Sequence, residues 1–330
     1  MNNSSEISIV IPTRNRLKSL SRSLNSISAQ TYAPREIIIV DSSDNPLSIE
    51  QFDTNRRGLN IQIHHTHPSV CYQRNYGIEK SISKFILLLD DDIELSSNYI
   101  ETLMSHFESN ENETVCSGLI LENRNNKWNY CEAQKSEIGA FMAYLFGLSV
   151  WFDFYQKTAP KNRVSLYIHN AFIKNGNSTS KAGWPRIVDF RTPSFTTPIY
   201  SLGASVIRSD KLKCVHFDTA FYENGIGENY DLLMSLNSEV KIITDAKAYH
   251  HRENSNRLSP ARSYYYRIAA LHYILVKHKR FTFVNQIYLI WSLAGNSMLF
   301  LGNGNIKMIW YNLQVILRIF FHFPLYKPKK

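Results

Sequence analysis

Three consecutive aspartates, Asp90 to Asp92, are the residues of this sequence whose types and spacing are best suited to chemistry. They follow five apolar residues, Phe85 to Leu89, and such a continuous apolar run is typical of a strand buried on both faces of a parallel sheet. Three carboxylates at the end of a buried strand repel one another, so we expect a cationic group beside them. Aspartates at positions i and i+2 can turn oxygens toward one divalent cation, and hard oxygen ligands favour Mg²⁺ or Mn²⁺ over Zn²⁺. The alternative interpretation is an acidic turn that leads into a helix.

The elements that must position these carboxylates alternate between strand and helix. Apolar runs predict strands at Ile7–Ile11, Ile37–Val40, 61–65 and Phe85–Leu89. Apolar stripes predict two helices. The first has Leu17, Leu20, Leu24 and Ile27 on one face. The second begins after a Ser96 or Ser97 cap, and its apolar face consists of Ile100, Leu103, Met104 and Phe107. The segment from Gln73 is expected to be a loop that enters a short helix. This alternation predicts an α/β fold with a Rossmann-like, mostly parallel sheet flanked by helices, in which ligands bind at the carboxyl ends of the strands.

The sequence changes character after Arg252. Residues 254–330 carry eleven Lys or Arg and no Asp or Glu, whereas the rest of the chain has 26 basic and 28 acidic residues. Two segments predict helices in which basic and aromatic residues are interleaved, SPARSYYYRIAALHYILVKHKR and MIWYNLQVILRIFFHF. This composition favours helices in the interface of an anionic membrane. The alternatives are a packing face for a homo-oligomer and a membrane-spanning segment. Nucleic acid is not an expected partner, because apolar helices are a poor phosphate surface.

The stretch 128–183 matches no recognisable pattern. Within it, Ile138–Phe152 is free of charge and too short to span a bilayer, so it is expected to form a core or interfacial helix, or a wall that contacts a lipid-linked acceptor. Residues 174–183 are expected to form a mobile loop.

The bulk composition, 44% hydrophobic and 20% charged, is that of a globular protein with one large domain or two modest ones. The opening residues have no cleavable signal pattern, and the four cysteines lack CxxC spacing, which favours reduced thiols in the cytosol. Neither GxxxxGK[ST] nor GxGxxG follows the first strand, so the common mononucleotide and dinucleotide loops are excluded.

Four segments in order, IVIPTRNR, IIIVDSSD, RNYGI and LLLDDD, resemble the family-2 glycosyltransferases of GT-A fold. The resemblance resumes with SLGASVIRSD, GIGENYDL and KAYHHR. It implies a GT-A domain over residues 1–255, with a nucleotide half at 1–95 and an acceptor half at 96–255 that holds the unmatched insertion 128–183. The basic, aromatic-rich helical region 256–330 follows.

The resemblance also implies an activity. The expected reaction is inverting, metal-dependent transfer of a sugar from a nucleoside-diphosphate sugar to an acceptor hydroxyl, in cell-surface glycan or polysaccharide biosynthesis. The acceptor is expected to be a glycan or a lipid-linked intermediate. Together with the basic C-terminal region, this predicts a cytoplasmic protein that is peripheral to the inner face of the cell membrane.

The site residues follow from the matched motifs. The divalent cation, Mn²⁺ or Mg²⁺, is expected to be held by Asp90, Asp92 and His250. His251 is the alternative to His250, because adjacent side chains of an extended segment point in opposite directions. The nucleotide sugar is expected to contact a set drawn from the strand ends and the following loops: Pro12, Thr13, Arg14, Asp41, Arg74, Asp90 and Asp91. For Asp41 the alternative is a turn-forming role, and for Arg74 a surface ion pair.

The general base is expected in the segment GENYD. The family usually places an aspartate where this chain has Asn229, and an amide is not a base at neutral pH. Glu228 is therefore the preferred base, and Asp231 is the alternative. In the non-catalytic interpretation, both are carboxylates in the first turn of a helix, where the helix dipole favours them.

Two other functions compete with this one. A non-catalytic module that binds sugar nucleotides or docks on membranes would explain Asn229. A sugar-nucleotide pyrophosphorylase would need a glycine-rich loop after the first strand, and PTRNRLKS has no glycine.

Overall fold

The structure is a computed structural model that describes residues 6–52, 58–132, 136–155, 160, 162–222, 224–253 and 258–321. The chain forms two compact units. The first comprises residues 1–130, 192–196 and 200–257, and the second residues 131–191, 197–199 and 258–330. Every site residue predicted from the sequence belongs to the first unit.

Both units contain strands and helices. In chain order, the strands are β1 (Ile7–Thr13), β2 (Glu36–Asp41), β3 (Ile61–His65), β4 (Phe85–Leu89), β5 (Ile93–Leu95), β6 (Val115–Arg124), β7 (Lys127–Asn129), β8 (Val150–Trp151), β9 (Ser178–Thr179), β10 (Pro185–Ile187), β11 (Ser194–Thr197), β12 (Ala204–Arg208) and β13 (Val240–His250). The helices are α1 (Leu17–Ser28), α2 (Val70–Lys80), α3 (Tyr99–Ser109), α4 (Glu137–Leu145), α5 (Arg163–Asn175), α6 (Ser209–Leu212), α7 (Glu228–Leu236), α8 (Pro260–Lys277), α9 (Phe283–Gly302) and α10 (Ile306–Phe320), with a 3₁₀ turn at Ile49–Gln51.

The main sheet has the strand order β11-β13-β6-β12-β4-β1-β2-β3, with β5 beside β13 and β7 beside β6. Strands β4, β1, β2 and β3 are parallel to one another. Strand β12 runs antiparallel to both of its neighbours, β4 and β6, and β13 is parallel to β6. The strands β4, β6 and β13 therefore point the same way. The predicted α/β fold with a mostly parallel, helix-flanked sheet is confirmed.

Both faces of the three inner parallel strands, β1, β2 and β4, are covered, which explains their apolar runs. Every residue of β1, β2 and β4 is buried. On one face, Ile9 and Leu87 pack in a core that includes Leu20 of α1 and Leu103 of α3. On the other face α2 lies so close that a Cβ on Gly77 would stand 2.4 Å from a side-chain carbon of Val10.

Three local predictions around this sheet are corrected. Helix α2 already begins at Val70, because the Ser69 side chain caps it, so the segment from Gln73 is helical and not a loop. Helix α3 has Asn98 as its N-cap instead of Ser96 or Ser97. The aspartates lead into the short strand β5, which pairs with β13, and not directly into a helix.

The second unit corrects two further predictions. The expected helix over Ile138–Phe152 ends at Leu145, because Gly147 takes a positive φ of 63°, and the chain continues into β8. The expected loop at residues 174–183 contains the end of α5 and strand β9, which joins the three-stranded sheet β8-β10-β9.

The two C-terminal helices that the sequence predicts are present as α8 and α10, and the unpredicted helix α9 lies between them in the chain. Ser259 caps α8, with Pro260 in its first turn. Asn312 of α10 is buried and donates hydrogen bonds to the Leu293 carbonyl (3.1 Å) and to Ser297 Oγ (2.9 Å) of α9. No helix in the described part of the chain has the length and apolar character needed to cross a bilayer. The functional division of residues 1–255 into a nucleotide half and an acceptor half stays a prediction.

Candidate active site

The candidate site lies at the edge of the main sheet where the parallel strands end. Thr13 ends β1, Asp41 ends β2, and Asp90 follows β4. The Asp90 N–H donates to the Gly203 carbonyl at 2.8 Å, next to the start of β12. A Cβ on Gly203 would stand 2.1 Å from Asp90 Oδ2, so the Asp90 carboxylate fits only because residue 203 is glycine.

Helix α2 joins strand ends through two consecutive residues. The buried amide of Gln73 donates to the carbonyls of Thr13 (2.9 Å) and Val40 (2.7 Å) and so ties β1 to β2. Its neighbour Arg74 turns toward β4 instead.

Arg74 bridges two carboxylates from distant parts of the chain. Its Nη2 contacts Asp90 Oδ1 at 2.7 Å, and its Nη1 contacts Glu228 Oε1 at 2.8 Å. The Arg74 side chain is only 3% exposed. Burial opposes the charged guanidinium, but Asp90 and Glu228 outweigh it and raise the pKa of Arg74 above its ordinary value. Arg74 is thus a buried ion-pair centre, and the alternative interpretation as a surface ion pair is wrong.

Glu228 begins α7, in the first turn that the helix dipole makes favourable for a carboxylate. Gly227 precedes it with a φ of 105°, a conformation that suits glycine. Burial raises the pKa of Glu228, although its contact with Arg74 acts in the opposite direction. The structure therefore brings one predicted base into direct contact with a predicted donor-binding residue.

The other two polar residues of this turn, Asn229 and Asp231, differ in solvent exposure. Asp231 is fully buried. Asn229 is half-buried, and its Oδ1 accepts a long hydrogen bond of 3.4 Å from Arg74 Nη1. The amide that replaces the family's usual aspartate therefore lies beside Arg74 as well.

Asp91 and Asp92 share a second cation, Arg16. Arg16 Nη1 lies 3.1 Å from Asp91 Oδ1 and 3.5 Å from Asp92 Oδ2. Thr13 Oγ1 donates to Asp91 Oδ2 at 2.7 Å. Burial raises the pKa of Asp91 to about 6, although Arg16 opposes the shift. The expected cationic group beside the three aspartates is present as two arginines, one on each side.

His250, at the end of β13, contacts the last aspartate. Its Nε2 lies 3.2 Å from Asp92 Oδ1, and its Nδ1 lies 3.8 Å from Glu122 Oε1. Burial lowers the pKa of His250, but the two carboxylates outweigh burial and raise it to about 9. His251 instead contacts Glu94 at 2.7 Å. Of the two histidines, His250 is thus the one beside the aspartates.

The remaining predicted nucleotide contacts lie farther along the edge. Asp41 is buried, and its carboxylate accepts hydrogen bonds from the backbone N–H groups of Ser43 and Leu47, both at 2.9 Å. It therefore shapes its own turn. Arg14 is exposed and pairs with Asp44 at 3.3 Å. Pro12 is buried within β1. The nucleotide contacts of these residues stay predictions.

Asp92 and His250 are the residues that would hold a divalent cation. In the structure the 3.2 Å between Asp92 Oδ1 and His250 Nε2 is a hydrogen-bonded ion pair, so His250 would have to lose its proton before both side chains could bind one ion. The described residues contain no group of three His, Cys, Asp or Glu placed to hold an ion together. Mg²⁺ is commonly held by one or two carboxylates while substrate phosphates complete its shell, so the Asp92 carboxylate suits such an ion, and the three-residue set Asp90, Asp92 and His250 stays a prediction.

A cleft of about 330 Å³ opens next to His250. Its lining comes from α1 and from the ends of β6, β7 and β13: Arg22, Asn123, Trp128, His250, His251, Arg252 and Glu253. The Trp128 ring is held edge-to-face against Tyr249 and His251, with centroid distances of 5.1 Å. Sequence reasoning missed both Trp128 and Arg16, because no motif distinguishes them from other surface aromatic or basic residues.

A comparison with known proteins places the chain in a family. The sequence profile described as Glycosyl transferase family 2 matches residues 8–173, half of the chain. The chain belongs to this family. The matched range includes the three aspartates and Arg74, whereas Glu228 and His250 lie beyond it.

Relatives in the family match over limited lengths. The glucosyl-dolichyl phosphate glucuronosyltransferase of Haloferax volcanii is 26% identical over 124 residues, which are 35% of this chain and 38% of that protein. The GalNAc(5)-diNAcBac-PP-undecaprenol beta-1,3-glucosyltransferase of Campylobacter jejuni is 34% identical over 106 residues, which are 30% of this chain and 33% of that protein. The chain therefore spans little more than a third of these relatives.

Among solved structures, residues 1–349 of TarS from S. aureus superpose with a TM-score of 0.52 and 14% sequence identity. The match covers 95% of this chain and 82% of that one. The likeness concerns the fold, which is of the GT-A type.

Proposed function

We propose that this chain transfers a sugar from a nucleoside-diphosphate sugar to an acceptor hydroxyl, with inversion at the anomeric carbon. The observation that carries the proposal is the bridge through Arg74, which links Asp90 at the acidic strand end to Glu228 at the start of α7. Family membership supports the same reaction class. In this reaction the acceptor oxygen bonds to the anomeric carbon, the bond from that carbon to the phosphate oxygen breaks, and the nucleoside diphosphate leaves with the electron pair.

Glu228 is the proposed general base that takes the proton of the acceptor hydroxyl. Its raised pKa suits a base that works near neutral pH. Its Oε1 is fixed by Arg74, while the helix N-terminus favours the charged carboxylate. Asp231 is the weaker alternative, because it is fully buried and an acceptor could reach it only after rearrangement.

The donor is proposed to bind along the strand ends. Asp41 is fully buried, so it would accept a hydrogen bond from the base or ribose after the His65 ring, whose Nδ1 lies 3.3 Å from Asp41 Oδ2, moves aside. Pro12, Thr13 and Arg14 would line the nucleoside and phosphates beside it. Asp91 is held in position for a ribose contact by Thr13 and Arg16.

Asp92 and His250 would hold Mn²⁺ or Mg²⁺, with Asp90 beside them. When bound, the ion neutralises the charge that develops on the departing diphosphate. Arg74 contributes a fixed positive charge of its own at the same strand end, which orients Asp90 and balances it whether or not an ion is present.

The acceptor and the location are proposed from two observations. Both named relatives carry polyprenyl-linked sugars in their names, which supports a lipid-linked or other glycan acceptor in cell-surface polysaccharide synthesis. The excess of basic residues in 254–330 supports a position at the inner face of the cell membrane.

The test combines a donor panel with a matched pair of variants. Transfer and donor hydrolysis are measured with UDP-, GDP- and dTDP-sugars, with and without Mn²⁺. Glu228→Gln is expected to lower kcat by roughly 10²–10⁴-fold, because the amide accepts no proton, while nucleotide affinity is kept. Asp231→Asn makes the same chemical change one turn along the helix and is expected to affect kcat much less.

Two results would contradict the proposal. Loss of kcat in Asp231→Asn with none in Glu228→Gln would move the base to Asp231. Nucleotide binding without turnover for every donor and acceptor would favour a non-catalytic module.

A further inference from the structure

Exposed apolar side chains are concentrated at the end of the chain. In the part of the chain that the structure describes, twelve of the twenty-four large apolar residues that are exposed lie between positions 283 and 321. They are Phe283, Val284, Ile287, Trp291, Met298, Leu301, Ile306, Trp310, Leu313, Leu317, Phe320 and Phe321. Folded proteins seldom leave such a concentration in contact with water unless it binds something.

These residues form one stripe on each of the helices α9 and α10. On α10 the positions 306, 310, 313, 317 and 320 are spaced four and three residues apart, so they share one helix face. The opposite face carries the buried residues Asn312, Val315 and Ile319. On α9 the positions 284, 287 and 291 share a face with 298 and 301, but the buried Gly295 interrupts this face, because Phe146 packs there against Gly295 and Trp291. The residues Leu289, Ser292 and Leu293 of α9 are buried as well. We call these two exposed faces the apolar stripes.

Positive charge borders the apolar stripes. Residues 258–321 contain seven Lys or Arg and no Asp or Glu. At about 100° per residue, Lys307 and Arg318 both fall on the same flank of the α10 stripe. Lys277, Lys279 and Arg280 lie directly before α9, and all three are exposed.

We propose that the apolar stripes of α9 and α10 form a docking surface for the headgroup and upper acyl region of a bilayer rich in anionic lipid. Helices that lie in a membrane interface typically carry tryptophan and phenylalanine on their apolar face, with lysine and arginine beside it. The basic flanks match the negative potential of anionic headgroups. A second copy of the chain fits less well, because a two-fold contact would bring the same basic flanks together.

In this arrangement the helices lie in the membrane interface with their apolar faces inserted, and they do not cross the bilayer. Their inner faces bury polar groups, among them Ser292, whose Oγ accepts a 2.7 Å hydrogen bond from Trp184 Nε1. Exposure of that face to acyl chains would break these hydrogen bonds. The side of the membrane that is bound is inferred from the proposed function. The binding itself is inferred from the apolar stripes alone.

The test uses the full chain and two matched variants. Leu317→Glu places a charge on the α10 stripe, and Leu166→Glu makes the same change on α5, at nearly the same exposure (45% and 46%). Binding is measured by flotation with vesicles of phosphatidylcholine alone and of phosphatidylcholine mixed with phosphatidylglycerol. Leu317→Glu is expected to lower partitioning onto the mixed vesicles on the order of thirty-fold, from lost apolar burial and charge repulsion, whereas Leu166→Glu stays near wild type.

A charge-neutralising variant separates the electrostatic contribution to membrane binding from the contribution of apolar burial. Lys307→Gln is expected to weaken binding to the mixed vesicles about five-fold and to leave binding to pure phosphatidylcholine unchanged. Equal binding by Leu317→Glu and Leu166→Glu, both folded by circular dichroism, would overturn the proposal. A wild-type dimer that Leu317→Glu converts to a monomer, with no change in vesicle binding, would assign the surface to a second copy instead. Sugar transfer to a water-soluble acceptor is measured in parallel, without detergent. If no variant transferred sugar, this result would count against the proposed reaction and not against the docking surface.

Discussion

Replacing Arg74 with lysine tests whether one guanidinium holds the two sides of the site together. The two Nη atoms of Arg74 contact two different carboxylates, at 2.7 and 2.8 Å, and the single Nζ of a lysine cannot occupy both positions. One hydrogen bond between charged groups is therefore lost, which costs about 1.5–3 kcal/mol of unfolding free energy. We expect the lower part of that range if Asp90 is the partner released, because its side chain is 32% exposed and regains water. Release of Glu228 would cost more, because it is buried.

Catalysis should suffer more than stability in Arg74→Lys. A carboxylate base displaced by about 1 Å can lower kcat roughly 100-fold. Unfolding in denaturant and kcat are measured on the same preparations. Arg14→Lys serves as the control for the stability measurement alone, because the Arg14 ion pair with Asp44 is exposed and should change the unfolding free energy by less than about 0.5 kcal/mol. If Arg74→Lys matched wild type in both measurements, the bridge would not fix Glu228, and the reasoning would fail.

The other predictions concern the cation and the close packing at the strand end. A nucleoside diphosphate is expected to raise Tm more in the presence of Mn²⁺ than in its absence. Asp92→Asn keeps the size of the side chain and should abolish this Mn²⁺-dependent part of the rise. If the variant kept full nucleotide affinity in the presence of Mn²⁺, Asp92 would not be a metal ligand. Gly203→Ala should lower the unfolding free energy by about 1–3 kcal/mol and reduce kcat, because the new methyl group displaces the Asp90 carboxylate. Gly302→Ala is its control and should leave Tm nearly unchanged, because among the described residues no atom outside the local helix backbone lies within 4 Å of the added Cβ.

The sequence was sufficient to predict the four parallel strands β1 to β4 and the edge where the site lies, but not β6 or the antiparallel β12 of the same sheet. Strands buried on both faces must be continuously apolar, so β1, β2 and β4 stand out, and parallel pairing then brings Thr13, Asp41 and Asp90 to one edge. Chemistry at that edge could be expected from residue types alone. The resemblance of short segments to a family added the expected roles.

The pairing of side chains at that edge could not be predicted in the same way. Arg74 and Glu228 are 154 positions apart, and only the tertiary fold determines that they meet. Two arginines, Arg14 and Arg16, follow β1, and Asn15 between them adopts a positive φ of 55°. That local backbone conformation, which sequence patterns do not fix, sends Arg14 to solvent and Arg16 to the aspartates.

Helix α2 constrains which parts of the first unit can move. Gln73 holds carbonyls of Thr13, the last residue of β1, and of Val40, the last but one of β2. The next residue, Arg74, holds a third strand end and the start of α7. A displacement of this helix would break all four attachments at once. Any opening and closing during turnover must therefore be carried by other segments, while α2 serves as the stationary reference against which they shift.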